Sequence, residues 1–453
     1  MNIFDKVLEI YQRYYICQHC LGRIFALLGT STTNLERGYA LLLSVTMENH
    51  RKYFSRDKNN EKTAITNLRI LAENAKFIPS QRVLENEGFD YFKTNLDKKC
   101  YLCNDIFSNL QIYIDKAKEL VKTIEFNSIL IGTSPDSEII NREDKFKAEL
   151  NLLNSESFKS HFNRVVGKKI SIELEKPAEF NNPDLIFIYS LSFENFKIEL
   201  LLKSLFLAGR YNKLIRDIPQ TRWICKDCQG KGCETCNFSG KKYETSVEEL
   251  ISPEFIKEAQ ATNSKFHGAG REDIDVRMLG NGRPFILELR NPQIRALNLE
   301  EITNRINQNN AGKIKICDLR YSNKKEVIRI KLRAESARKT YKAIVEAQKN
   351  LNLEKFKDLI KKLKDTFENQ KISQRTPNRV SHRRADIIRK KIIYKIEAQH
   401  LKPNLFEFII ETQGGTYIKE LVDGDNGRTI PSFAEIFEIP LICKELDVIS
   451  VEY

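Results

Sequence analysis

The chain has 453 residues, more than one hydrophobic core usually organises, so two to four domains are expected. Hydrophobic residues at 41% and charged residues at 30%, without a long Gly, Ser, Pro or Gln tract, exclude a largely disordered chain, and no apolar run approaches a membrane span. Lys and Arg total 74 against 61 Asp and Glu, and the net charge of +13 suits a polyanion such as a nucleic acid, although a solvated basic surface gives the same balance.

The first residues, Met1-Asn2-Ile3-Phe4-Asp5, show no cationic segment leading into an apolar one, which points to a cytoplasmic protein. From Asp5 to about Met47 apolar residues recur at helical spacing, and the stretch up to Cys100 reads as mainly helical. Eight of the ten cysteines fall into four C-x-x-C pairs, which in an unsecreted chain favours metal over disulfides. Cys17-x-x-Cys20 and Cys100-x-x-Cys103 are far apart in sequence but together make a four-cysteine site that would staple the helical region. Two unrelated exposed pairs are the alternative; His19, between Cys17 and Cys20, could replace a ligand but reads rather as an uncommitted surface histidine. Beyond Asn127 the pattern changes. Ser128 to Ile131, Lys169 to Leu174 and Leu185 to Leu191 read as strands with helices between them, an α/β module that closes with Leu200 to Leu207 and Gly209-Arg210-Tyr211-Asn212-Lys213.

Cys225-x-x-Cys228 and Cys233-x-x-Cys236 follow, joined by a short link containing Gly230 and Gly232. Both pairs can fold around one ion, and four thiolates form the usual structural zinc shell, with no open position for water. Cys317 and Cys443 stand alone in apolar sequence and read as buried structural thiols. In His267-Gly268-Ala269-Gly270-Arg271-Glu272-Asp273-Ile274-Asp275-Val276-Arg277-Met278, a glycine turn leads into a strand-like alternation. Ile274, Val276 and Met278 would face the core, leaving Asp273, Asp275 and Arg277 in one charged row; a salt-bridge ladder on an edge strand is the bland counterpart. Asn281-Gly282, between Ile274 to Leu279 and Pro284 to Leu289, predicts a hairpin. Ile314 to Leu319 with Val327 to Leu332, and Lys391 to Ala398 with Leu405 to Glu411, read as further strand pairs, and Glu335 to Glu368 reads as a long helix broken near Asn350. An α+β domain with a largely antiparallel sheet is expected.

Gly270-Arg271-Glu272-Asp273 resembles the Gly-Arg-x-Asp signature that carries the catalytic aspartate in several pseudouridine synthase families. The string through Arg277, with Gly282-Arg283-Pro284-Phe285, closely resembles the THUMP-containing archaeal and eukaryotic tRNA pseudouridine synthase family that acts on the TΨC arm. Arg338-Lys339-Thr340-Tyr341-Lys342, Gly415-Thr416-Tyr417-Ile418-Lys419-Glu420-Leu421 and Glu445-Leu446-Asp447-Val448 resemble the family's later motifs in order, so the resemblance spans essentially the whole chain. It implies an α+β multidomain protein: a helical N-terminal region over 1–110 with the split zinc site, a THUMP-like RNA-binding module over 111–221, a zinc knuckle over 222–243 and a catalytic domain with a largely antiparallel mixed sheet over 244–453.

The implied reaction converts uridine to pseudouridine at position 55 of tRNA, with position 54 open as a second target. It uses no organic cofactor, with zinc confined to one or two structural sites. Asp273 would be catalytic, as nucleophile at C1′ or base at C2′. Tyr341 would stack on the base, Ile418 and Leu446 would wall it, Lys419 would pair with Asp273, and Arg271 and Tyr417 would complete the contacts to uridine. Phosphate contacts are expected from Arg210, Lys213 and Arg216 and from Arg375, Arg379, Arg383 and Arg384. The implied partner is tRNA, bound by a monomer. The alternative is a noncatalytic tRNA-binding protein with a THUMP module and zinc knuckle. A methyltransferase or thiouridine synthase is disfavoured, because neither a Gly-rich strand-to-helix fingerprint nor a pyrophosphate loop is found.

Overall fold

A computed structural model describes residues 2–29, 31–55, 57–92, 98–382 and 384–452. The chain divides after Lys203 into two compact units. In the first, helices Ile3–Arg13, Gln18–Ile24, Asn34–Tyr53, Lys58–Glu73 and Ile78–Asn86 occupy the N-terminal part. The third starts at a capping box in which Thr33 and Glu36 satisfy each other's backbone N–H groups. An α/β module follows, with strands β1 (Ile129–Pro135), β2 (Leu185–Leu191) and β3 (Phe196–Leu202) in that order, β1 parallel to β2 and β2 antiparallel to β3.

Lys169 to Leu174 is not the expected strand. It finishes helix Phe158–Glu173, where Phe162, Val166 and Ile170 are buried at four-residue spacing, so the helical period prevails over the β-branched content. One core cluster runs from Val7 through the helices to Leu191, and the buried pair of Arg23 and Glu143 links helix Gln18–Ile24 to helix Ser137–Glu149. The helical region and the α/β module are therefore packed as one body.

The second unit is built on a sheet of ten strands among the described residues: β4 (Leu205–Lys213), β5 (Asn263–Gly268), β6 (Arg277–Arg290), β7 (Ile314–Ser322), β8 (Arg338–Ala347), β9 (Gln370–Arg375), β10 (Ile388–Lys402), β11 (Leu405–Gln413), β12 (Thr429–Ile430) and β13 (Leu441–Glu452). The order is β12-β9-β10-β11-β8-β13-β6-β4-β7, with β5 on β6. β6 and β13 pair in parallel and the other pairs are antiparallel. Leu205–Lys213 pairs with β6 and β7, so this segment belongs to the large sheet and not to the end of the α/β module. The apolar run Leu200 to Leu207 is split between β3 and β4.

Three local expectations give way here. Asn281-Gly282 is no hairpin: β6 runs on through it, bent where Gly280 adopts φ 56° with no room for a Cβ, which would meet the Ile449 carbonyl at 1.8 Å. Val327 to Leu332 lies in helix Lys324–Arg333, capped by the Asn323 side chain and burying Val327. Glu335 to Glu368 is strand β8 followed by helix Leu353–Phe367. Burial alternates along β8 from Lys339 to Ala347, and Asn352 caps the helix after the break. The expected pair around Lys402-Pro403-Asn404 does form, as β10 and β11. Cys317 and Cys443 are partly exposed and not buried; Cys317 follows buried Ile316 in β7, and strand alternation turns it outward. Among the described residues no helix is long and apolar enough to cross a membrane.

Candidate active site and metal centres

In the second unit a cavity of about 610 Å³ opens where the loop before β6 meets β8, β13 and the segment after β11. Asp273 lies in this loop and not on a strand, so the expected charged row does not form. Asp273 and Asp275 line the cavity, but Arg277, the first residue of β6, turns to Asp447 on β13 and binds it bidentately at 2.9 and 2.7 Å.

The loop is held from beneath by cations expected on the RNA surface. Lys213 is fully buried and donates to the carbonyls of Ile218 (2.9 Å), Asp273 (3.2 Å) and Ile274 (2.8 Å); burial lowers its pKa to about 8. Arg216 donates to the carbonyls of Asp275 and Leu446, both at 2.8 Å, and pairs with Glu445 and Asp447. Arg210 donates to the carbonyls of Asn281, Gly282 and Val451. These three side chains hold the loop that carries Asp273 and its β6 and β13 neighbours through backbone carbonyls. The physical reason is that a loop free of ladder hydrogen bonds leaves carbonyls that need donors, and a buried cation needs oxygens. Glu272 points inward, where it pairs with buried Arg283 at 2.7 Å and accepts the Tyr211 hydroxyl at 2.7 and 2.9 Å. Gln220 donates to Tyr211 (2.8 Å) and to the Gly270 carbonyl (3.0 Å). With Glu272 anchored in this way, its neighbour Asp273 faces the cavity.

Arg379 Nη1 lies 2.8 Å from Asp273 Oδ2, and its Nε lies 2.6 Å from Glu420, a buried carboxylate. Arg379 is therefore the partner that Lys419 was expected to be. Lys419, in the first turn of the helix Ile418–Asp423, instead pairs with Asp275 at 2.5 Å. Burial disfavours the charge on Asp275, but Lys419 and Arg379 outweigh it and hold the carboxyl below its usual range.

Tyr341 on β8 sits between Val448 of β13 and Ile410 of β11 in register, buried, with Ile418 and Leu446 also buried on the cavity wall. Burial raises the Tyr341 phenol to about 12. Tyr417 is fixed through its backbone, which exchanges two 2.9 Å hydrogen bonds with the Gln374 side chain, and its hydroxyl accepts from Arg384 at 2.9 Å. Arg271 stacks over Trp223 at 4.8 Å, both on the cavity. Arg375 and Arg384 are exposed, Arg375 pairing with Asp386 at 2.8 Å; Arg383 lies outside the described residues. Sequence reasoning missed Arg379 as the partner of Asp273, and also Trp223 and Lys339 on the cavity, where Arg389 and Lys391 of the basic stretch also lie. Of these Lys339 was within reach: two residues before Tyr341, it shares its face once 338–347 is read as a strand.

The two four-cysteine sets, Cys17, Cys20, Cys100 and Cys103 and Cys225, Cys228, Cys233 and Cys236, each bring their sulfurs within 4.8 Å of one another. Cys17 and Cys103 sulfurs are 3.6 Å apart, and the second set shows 3.7, 3.8 and 3.9 Å. A tetrahedron with Zn–S bonds of about 2.3 Å places sulfurs about 3.8 Å apart, so both sets fit zinc. In the knuckle the backbone N–H groups of Gly232, Cys233 and Gly240 donate to sulfur at 3.2 to 3.3 Å, which favours thiolates. Gly240 (φ 66°) is required there, since a Cβ would meet the Gly230 carbonyl at 2.4 Å. His19 joins neither set and is no simple surface residue: it stacks on Phe107 (5.5 Å) and lies against His161 (5.6 Å). Elemental analysis is expected to give roughly two zinc per chain, with loss of cooperative unfolding after chelation; a metal-free chain that stays folded and takes up no zinc is the opposing result.

A family model described as "Pus10, C-terminal" matches residues 206–452, and one described as "Pus10 THUMP domain, archaeal" matches residues 113–190. The chain is 41% identical over 445 residues to a Methanocaldococcus jannaschii protein named tRNA pseudouridine synthase Pus10, covering 98% of this chain and 93% of that one. Proteins of the same name from Thermofilum pendens (37% identical, covering 99% of this chain and 95% of that one) and Ignisphaera aggregans (33%, covering 100% and 99%) match over similar lengths. With models of both its C-terminal unit and its RNA-binding module matched, and relatives alike from end to end, the chain belongs to the Pus10 family of tRNA pseudouridine synthases.

Proposed function

We propose that this enzyme isomerises uridine in the TΨC arm of tRNA, at position 55 with position 54 as a second target, and that Asp273 is its catalytic carboxylate. The observation that carries the reading is the placement of Asp273 on the wall of a nucleotide-sized cavity, paired with Arg379 and facing the group formed by Tyr341, Ile418 and Leu446. The reaction breaks the bond from C1′ to N1, turns the uracil and joins C1′ to C5, with loss of the C5 proton and no redox change. A carboxylate beside the sugar serves either by adding to C1′ and leaving again, or by taking and returning a C2′ proton. Tyr341, protonated at neutral pH, offers a flat apolar face to the base, and Ile418 and Leu446 keep the detached uracil in plane with it. Arg271, stacked on Trp223, and Tyr417, held by Gln374, flank the opening. Zinc in the split N-terminal site and in the knuckle would hold local structure and supply no reacting group, because four thiolates complete each shell.

The target base must leave its stack, at a cost of roughly a few kcal/mol that phosphate contacts offset. Arg375 and Arg384, exposed and held only by Asp386 and the Tyr417 hydroxyl, are suited to this, whereas Arg210, Lys213, Arg216 and Arg379 are held by carbonyls and carboxylates of the sheet and its loops. Arg375→Glu with Arg384→Glu is expected to weaken tRNA binding and to lower the salt slope by roughly 0.7 to 0.9 per lost phosphate contact; an unchanged slope would return both to solvated surface. Modification mapping on an unmodified tRNA transcript tests the function itself: pseudouridine at position 55 is expected, and a transcript modified only elsewhere would move the substrate assignment.

A further inference from the structure

We propose that Lys339, with Lys391 beside it, forms an anion subsite inside the cavity that takes a phosphodiester flanking the extruded uridine. The inference rests on the uridine reading above and assigns a site for the backbone rather than the base. Lys339 is on β8, on the same face as Tyr341 and only 5% exposed, and it lines the cavity. Its ammonium converges with Arg283 on the Gly270 wall: a Cβ at Gly270 would lie 3.1 Å from Lys339 Nζ and 3.1 Å from Arg283 Nη1. Lys391, reaching in from β10, donates to the Gly414 carbonyl at 2.7 Å and would lie 3.1 Å from a Cβ at Gly415.

The neighbouring charges are unequally satisfied. Arg283 is committed to Glu272 and to the Ala269 carbonyl, and Lys391 has the Gly414 carbonyl. Lys339 Nζ makes no hydrogen bond or ion pair to another described residue and opens to the cavity. A cation on a largely buried side chain facing two other cations is held at a cost that an arriving anion would relieve. Burial, reinforced by Arg283 and Lys391 and only partly countered by Glu272, lowers the Lys339 pKa to about 7. The RNA substrate supplies one phosphate per nucleotide, and a phosphate here would restore the full charge.

The test uses TΨC stem-loops in which one phosphodiester next to the target uridine is replaced by a neutral methylphosphonate, measured on the full-length enzyme. One of the two flanking replacements is expected to weaken binding about tenfold or more, as expected for a charge-assisted contact. Lys339→Met should weaken binding of the unmodified stem-loop to a similar degree and lower its salt slope by roughly 0.7 to 0.9. Together the two changes should cost no more than either alone. Affinity of the unaltered enzyme should fall as pH rises through 7 to 8, because a neutral Lys339 must take up a proton to bind, and Lys339→Met should remove that dependence. Fully additive effects at both linkages, or Lys339→Met that binds normally yet turns over slowly, would overturn the subsite. The methylphosphonate scan on the unaltered enzyme needs no variant, so a flat scan overturns it even if Lys339→Met fails to fold. An enzyme that leaves the unmodified stem-loop without pseudouridine overturns the substrate reading instead, and this inference with it.

Discussion

Asp273→Asn is expected to reduce pseudouridine formation by roughly four orders of magnitude or more, as loss of a covalent or proton-transferring group does, while tRNA binding and unfolding temperature stay close to those of the parent. The amide keeps the shape and the hydrogen-bonding reach towards Arg379, but it carries neither the negative charge nor the basicity the sugar chemistry needs. The loop should survive, because it is held through backbone carbonyls by Lys213 and Arg216 and through Glu272, none of which uses the Asp273 side chain. Asp275→Asn provides the contrast. It releases Lys419 from its 2.5 Å partner on the same loop, and a loss of about tenfold or less is expected. Normal turnover of Asp273→Asn with an inactive Asp275→Asn would exchange the roles of the two carboxylates.

Arg379→Met is expected to lower kcat about 100-fold with a much smaller change in KM, because the guanidinium orients the Asp273 carboxylate at 2.8 Å. The same substitution strips buried Glu420 of its 2.6 Å partner, so stability should fall as well, by about 1 to 3 kcal/mol given that Arg379 itself is partly solvated. The two effects separate in a double variant. Arg379→Met with Glu420→Gln removes the uncompensated carboxylate and should recover most of the unfolding temperature, leaving turnover low. Turnover recovered in step with stability would make Arg379 a purely structural residue.

Features whose chemistry is complete within a short window were legible in the sequence. Each C-x-x-C pair fits one metal edge by local turn geometry, so the knuckle from Cys225 to Cys236 could be read directly, and the distant Cys17 and Cys100 pairs did meet in a second set. The glycine turn before Asp273, the helical N-terminus and the β10–β11 pair were readable for the same reason, since turn residues and periodicity act over a few residues. Where two periods compete locally, burial decided: Lys169 to Leu174 packs as helix, and Arg338–Ala347 as a strand buried in the middle of the sheet. The partners of charges were out of reach of any window. Asp273 meets Arg379 and Asp275 meets Lys419 because β6 pairs in parallel with β13, and β8 lies between β13 and β11, bringing distant segments to one rim. Lys213 reads as an RNA-binding cation until β4 is placed beside β6, under the loop whose carbonyls need it. Sequence supplied the chemical groups of the site; which cation neutralises which carboxylate depended on strand order, because Coulomb energy and desolvation are set by distance and burial, quantities that exist only once the sheet has formed.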